Sequence, residues 1–173
     1  MRHGPAGDRE RWRRAGRPDA ERPLTPRGSK KAREAAAGLR RAFGRLDMIA
    51  TSPWTRAAQT AALLAGACGG RIVETDALLP DRAPEDLLAW LSRRRERRVA
   101  LVGHEPHLSR LASWLMTGAA RSRLRLKKSQ ALLLELPRPE AGAGVLVWSL
   151  APRHLRALSR RPQGAAGRQW RDL

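Results

Sequence analysis

Cysteine is nearly absent: Cys68 stands alone in 173 residues. Without a second thiol no intramolecular disulfide can form, which excludes a secreted disulfide scaffold and a cysteine-rich zinc site and points to a reducing cytoplasm. Apolar runs are short, none approaching the roughly 18 residues that mark a membrane span. The opening Met1-Arg2-His3-Gly4 has no apolar segment of the kind a signal peptide needs. A soluble, cytoplasmic protein with no membrane partner is expected. Lysine and carboxylates are scarce as well. Of 35 Lys+Arg only Lys30, Lys31, Lys127 and Lys128 are lysine, against 16 Asp+Glu.

Arginine makes up the rest of the basic residues, and the formal charge is +19. Hydrophobic residues amount to 42%, enough for a core, so a disordered basic arm is excluded. Alanine, glycine and proline are abundant alongside arginine, the pattern of a composition bias acting on exposed positions. Nucleic acid is therefore not the expected partner, although the field attracts anions of every kind, phosphorylated proteins included.

Helical spacing of Ala32, Ala36, Leu39 and Phe43 predicts a helix over about 26–45, with Thr25 as N-cap and Pro26 at its first position. Met48 to Thr51 reads as a strand ended by Ser52-Pro53, with a second helix from Trp54 through Ala57, Ala61, Leu64 and Ala65. A strand over 71–75 and a helix from Pro84 carrying Leu87, Leu88 and Leu91 follow. Val99 to Val102 then runs into Gly103-His104-Glu105-Pro106 and a helix with Leu108, Leu111, Trp114 and Leu115. Strands over 131–136 and 145–150 flank a Pro/Gly-rich turn, and a basic tail remains after Leu158. Alternating strands and helices predict an α/β sheet covered on both faces, whose ligands bind outside the carboxyl ends of the strands. Two polar motifs, Ser52-Pro53-Trp54-Thr55-Arg56 and Gly103-His104-Glu105-Pro106, fall there.

A phosphoryl group spreads its charge over three equatorial oxygens, so its transfer needs fixed cations and an in-line nucleophile. Arginine forks bind such oxygens in pairs and imidazole can carry the group covalently. Two histidines with two or three arginines at strand ends suffice for that chemistry without a metal.

Arg2-His3-Gly4, Ser52-Pro53-Trp54-Thr55-Arg56-Ala57 and Gly103-His104-Glu105-Pro106 occur in an order that resembles the histidine phosphatase superfamily. Arg22-Pro23-Leu24-Thr25 with Gly28, Leu78-Leu79-Pro80 and Trp148-Ser149-Leu150-Ala151-Pro152 look like the small bacterial phosphohistidine phosphatases of the SixA type. The resemblance covers about 1–158. It implies a three-layer α/β/α sandwich with a mostly parallel central sheet, phosphoglycerate mutase-like, and no metal or other cofactor. It further implies His3 as nucleophile, with Arg2, Arg56 and His104 binding the phosphoryl group and Arg22 as an additional phosphate ligand. In the family a short apolar strand precedes Arg-His-Gly. That first strand is missing here, so Met1 is expected to be internal to a longer protein, and an upstream extension to raise stability and activity.

The superfamily's general acid falls in the segment corresponding to 79–85, where Asp81 or Glu85 could serve. Glu105 and Asp8 lie near the motifs in sequence. None sits in a recognisable acid motif, which favours a phosphoramidate, whose imidazole leaving group can be protonated before cleavage. His104-x-x-His107 has a metal-like spacing, but Pro106 intervenes and no carboxylate or cysteine cluster completes a site. His107 is expected at the start of the following helix, facing the surface. Trp90, Trp114 and Trp148 are expected in the core, Trp54 at the border of the site, and residues 93–98 as a solvated helix end.

The expected organisation is one domain over 1–158 with a flexible basic tail over 159–173. The leading expectation for function is a monomeric phosphatase acting on phosphohistidine in a phosphorylated protein. A phosphatase for small esters or polyphosphate is its rival. A non-catalytic basic module binding phosphorylated proteins or nucleic acid is the alternative of another class, against which two imidazoles at strand ends argue.

Overall fold

The computed structural model describes residues 1–119 and 121–160. In chain order its elements are α1 (Arg9–Arg14), α2 (Pro26–Phe43), β1 (Met48–Thr51), α3 (Thr55–Cys68), β2 (Arg71–Glu74), α4 (Pro84–Ser92), β3 (Val99–Val102), α5 (His107–Thr117), β4 (Ala131–Glu135), β5 (Val145–Leu150) and α6 (Pro152–Ser159). A single 3-10 turn, Asp19–Glu21, separates α1 from α2.

Local chemistry sets the ends of α2. The Thr25 hydroxyl accepts the Gly28 N–H at 2.9 Å, satisfying one of the free donors of the first turn. Gly44, at φ 99°, ends the helix where other residues would be strained. Gly28 is required by close approach: a Cβ there would lie 1.9 Å from the Pro5 carbonyl oxygen. That contact seats the first turn of α2 against the chain following His3.

The strands β2-β1-β3 form a parallel sheet in which Met48 stands beside Arg71 on one side and Val99 on the other. Alternation across β1 makes the layers. Ile49 joins Ala36, Leu39, Ala61, Leu64 and Leu155 on the face covered by α2, α3 and α6. Ala50 joins Leu87, Leu108, Leu111 and Leu115 on the face covered by α4 and α5. Because both faces of β1 are covered, all four of its residues are buried.

Residues 1–3 occupy the far side of β3. Arg2 pairs in parallel with Gly103, and the His3 N–H donates to the Gly103 carbonyl at 3.0 Å. The Arg2 N–H donates to Gln130 O at 3.0 Å and the Ser129 N–H to Arg2 O at 3.1 Å. This short segment thus joins the end of β3 to the start of the antiparallel β4-β5 hairpin. Behind it, between β3 and β4, lies an apolar cavity of about 410 Å³ lined by Met1, Leu101, Leu133 and Trp148 among others. The sandwich has the expected layers, and the position of the expected first strand holds residues 1–3 alone.

Several sequence expectations are corrected. α1 was not expected, because an arginine-rich helix with no buried residue carries no apolar periodicity. No helix is expected after β5; Leu155 is fully buried against α2, and α6 carries helix to Ser159, past the boundary at 158. Residues 161–173 of the expected flexible tail lie outside the described residues. His107 is 1% exposed rather than at the surface: the start of α5 packs toward α4, with the His107 ring facing the Ala83 backbone. Trp90, Trp114 and Trp148 pack against the two cores but are only partly buried.

Candidate active site

The strand ends bring His3, His104, Arg2, Arg22 and Arg56 together. His3 is held by its backbone to Gly103, and its Nδ1 lies 2.7 Å from the Gly4 carbonyl oxygen. A carbonyl only accepts, so Nδ1 carries the proton and Nε2 keeps its lone pair. The two imidazole centroids are 5.2 Å apart. The His104 Nε2 lies 2.9 Å from the Ser52 hydroxyl, and Trp54 packs edge-on against the His104 ring at 4.8 Å. Trp54 therefore borders the site, as expected from its place in the motif. The Gly4 N–H donates to Thr60 Oγ1 at 3.0 Å, and that hydroxyl donates to Arg56 O at 2.7 Å. The His3 loop is thereby tied to the first turn of α3.

One carboxylate organises two of the arginines. Asp19, on the 3-10 turn, accepts from Arg22 Nε at 2.7 Å and from Arg56 Nη2 at 3.1 Å, and its carbonyl accepts from Arg56 Nη1 at 2.6 Å. Arg56 also lies over the Trp54 ring at 4.5 Å. Arg22 Nη1 donates to Gly7 O and Arg2 Nη1 to Leu126 O, each at 2.7 Å. The Nε of Arg2, the Nε of Arg56 and the Nδ1 of His104 are buried without a partner. Buried donors are ordinarily satisfied, so these three unmatched nitrogens in one cluster mark a place for acceptors.

Electrostatics favour uncharged imidazoles and an anionic guest. Burial, reinforced by Arg56, Arg2 and Lys128 against the bond to Gly4, pushes the His3 pKa down to about 3. Burial, with His3 and Arg56 beside it, takes His104 to about 3 as well. Burial lowers Arg56 to about 10, although Asp19 opposes the shift, so the guanidinium remains charged at neutral pH. Lys128 is lowered by burial and then by Arg2, Arg22 and Arg56, which places its ammonium beside the same cations.

Asp19 and Lys128 were missed from the sequence. Asp19 had a weak signal in its spacing, three residues before Arg22. Lys128 had none, since it reaches the site through Ser129, whose positive φ of 64° and N–H bonds to both Arg2 O and His3 O fold residues 127–130 back onto the His3 segment. The candidate acids lie apart. Both oxygens of Glu105 are engaged, by the Leu126 N–H at 3.1 Å and the Ser109 hydroxyl at 2.6 Å. Asp81 and Glu85 are exposed, and Asp81 acts on His107. Asp8 caps α1 through the Arg11 N–H at 2.7 Å.

Fold and site together define an α/β protein of the phosphoglycerate mutase-like class, with histidines and arginines gathered at the carboxyl ends of its strands. Residues 1–83 match the model of the histidine phosphatase superfamily (branch 1). An uncharacterized protein of Picosynechococcus sp. is 35% identical over 133 residues, 75% of this chain and 78% of that protein. The chain belongs to the histidine phosphatase superfamily. Its fold is similar to that of the protein histidine phosphatase SixA complexed with tungstate, at TM-score 0.75 and 24% identity over 90% of this chain and 96% of that one. It is also similar to the alpha-ribazole phosphatase of Shigella flexneri, at TM-score 0.60 and 20% identity over 84% and 93% of the two chains. Hydrolysis of a phosphoryl compound is the activity the family supports.

Proposed function

We propose that this protein removes phosphate from phosphohistidine on proteins, with His3 carrying the phosphoryl group in transit. The observation that carries the reading is the His3 ring: proton fixed on Nδ1 by Gly4 O, Nε2 free, and the imidazole kept neutral by burial among cations. The lone pair of Nε2 attacks phosphorus as the bond from phosphorus to the substrate nitrogen breaks. The leaving imidazole departs neutral, having been protonated before cleavage. Water then attacks phospho-His3, inorganic phosphate leaves, and Nε2 recovers its lone pair. Arg2, Arg22, Arg56 and Lys128 would face the equatorial oxygens; Asp19 holds Arg22 and Arg56, while Glu105 acts on Arg2 and Asp8 on Lys128. The Ser52 hydroxyl accepts from the Trp54 N–H at 3.3 Å and has its own proton to donate to His104 Nε2. The His104 proton then sits on Nδ1, the nitrogen without a partner, where it can bond a phosphoryl oxygen.

The leaving group supports phosphohistidine over an ester. The charged groups that act most strongly on His3 are Arg56, Arg2 and Lys128, all cations. An alkoxide needs a proton at the moment of cleavage, whereas a protonated imidazole does not. Tungstate, bound by the SixA of similar fold, is a tetrahedral oxyanion of the shape this cluster would hold.

The test compares turnover of a peptide carrying one phosphohistidine with that of phosphoserine peptide and small phosphomonoesters. The phosphohistidine peptide is expected to have at least about a tenfold higher kcat/KM, equivalent to about 1.4 kcal/mol of transition-state discrimination. Acid-labile label should be trapped on His3, and His3→Ala should abolish both label and turnover. Preference for the esters would overturn the substrate assignment. Label elsewhere than His3 would overturn the mechanism.

A further inference from the structure

Beside the phosphoryl cradle lies a second cationic pocket of about 760 Å³, lined by Arg2, Glu105, Arg110, Arg121, Leu124 and Arg125 among others. It is not part of the cradle, but the two share Arg2, whose charge also acts on His3. Its floor carries one carboxylate, Glu105, whose oxygens are both taken by Leu126 N–H and Ser109 Oγ. Arg110 projects from α5, and Arg121 and Arg125 from the segment between α5 and β4; all three are exposed. Among the described residues none of the three is paired with a carboxylate.

The segment Arg121-Ser122-Arg123-Leu124-Arg125-Leu126 alternates exposed arginines with inward-turned Ser122, Leu124 and Leu126. An extended chain rises about 3.3 Å per residue, so Arg121 and Arg125 stand on the order of 13 Å apart. A single phosphate cannot span that interval. A row of carboxylates on an extended segment can, with the Leu124 and Pro106 surfaces receiving side-chain methylenes between them.

We propose that this pocket is a docking site for acidic residues flanking the phosphorylated residue of a protein substrate. The inference rests on the phosphohistidine reading and deepens it by naming the kind of segment selected. Arg2 marks the junction: its unpartnered Nε belongs to the phosphoryl group and its far side to the flank. Arg121 and Arg125 act on affinity: both side chains are exposed, and neither is among the strongest charges acting on His3 or His104.

The experiment uses two synthetic peptides, each with one phosphohistidine, flanked in one by Asp and Glu and in the other by Asn and Gln. Three exposed pairs of ordinary strength give the acidic peptide about a tenfold lower KM in the wild type. Arg121→Gln/Arg125→Gln, which leaves one pair of the three, should cut that preference to about a third on a logarithmic scale, about twofold, and Arg121→Glu/Arg125→Glu should abolish or reverse it. In both variants kcat, and turnover of free phosphohistidine, stay as in the wild type, which also shows that the fold is intact. Equal KM for the two peptides in the wild type overturns the proposal. So does a variant that loses turnover of free phosphohistidine in the same proportion. If the wild type hydrolyses esters but neither peptide, the substrate reading fails first, visible before any variant is made, and the docking proposal falls with it.

Discussion

The two halves of the site are held by different means. On one side Arg22 and Arg56 are locked by side-chain bonds to Asp19, and His104 by Ser52, on elements packed over the buried strand β1. On the other, Arg2 and His3 hang from a three-residue segment held by main-chain bonds to Gly103, Ser129 and Gln130, with an apolar cavity behind it. The first half fixes charge through a carboxylate that can be removed. The second fixes the nucleophile chiefly through main-chain bonds, to which Thr60 Oγ1 on the Gly4 N–H and Arg2 Nη1 on Leu126 O add two side-chain ties. Substitutions should therefore be most informative on the Asp19 side, and changes of chain or pH on the Met1 side.

Among the cations the largest effect is expected from Arg56→Ala. It removes a buried cation whose Nε has no partner within the protein, and a fixed donor to transition-state charge is worth about 10²–10³ in kcat. Arg2→Ala should cost a similar factor and lower thermal stability only by the loss of its bond to Leu126 O, because residues 1–3 are otherwise held by main-chain bonds. If Arg2→Ala unfolds the chain and Arg56→Ala does not, the division between main-chain and side-chain anchoring is wrong. Next comes Asp19→Asn, which keeps shape but gives up the charge that aligns two arginines. About a tenfold loss of kcat/KM is expected, and steady-state kinetics with kcat/KM unchanged would contradict it.

The same division explains what could be read from the sequence. Histidine and arginine motifs placed at strand ends were legible, because β1 and β3 are short apolar runs ended by Ser52 and Gly103, and the structure does converge them. The supporting groups were not. Asp19 acts across 37 residues to Arg56, and Lys128 arrives on a turn whose geometry depends on Ser129. Local pattern carries no trace of such contacts. α6 was lost for the related reason that its one buried residue, Leu155, gains meaning only from Gly38, where a Cβ would lie 1.8 Å from the Leu155 carbonyl oxygen.

A smaller effect, read as stability against pH, reports the imidazoles. Burial holds the pKa of His3 and of His104 in the folded chain near 3, against an ordinary value of 6.5. As pH falls below about 6.5 the unfolded chain takes up these protons first, so their contribution is full above that pH and is lost progressively toward about 3. Melting temperature should decline across this window, and His104→Gln should flatten the slope. An unchanged slope would mean that His104 is not buried neutral.

The smallest effect sharpens the comparison on the Met1 side. The Met1 amine is partly buried, donates to Leu101 O at 2.7 Å, and is lowered by burial to about 5 from 8.0, against the pull of Glu105. A folded pKa below the unfolded one means stability present above about 8 and lost as pH falls toward about 5. Acetylating this amine, or extending the chain ahead of Met1 by about five apolar β-forming residues, removes that titration. Only the extension also puts apolar atoms into the cavity beside Leu101 and Leu133 and offers a partner to the facing strand edges. Acetylation should therefore abolish the loss between pH 8 and 5 and leave that between 6.5 and 3. The extension should do the same and raise the melting temperature by a further few degrees, since about 1 kcal/mol moves a domain of this size by about 2–4 °C. If the two changes stabilise equally, the weak point on this side is the buried amine, and the cavity contributes nothing to it.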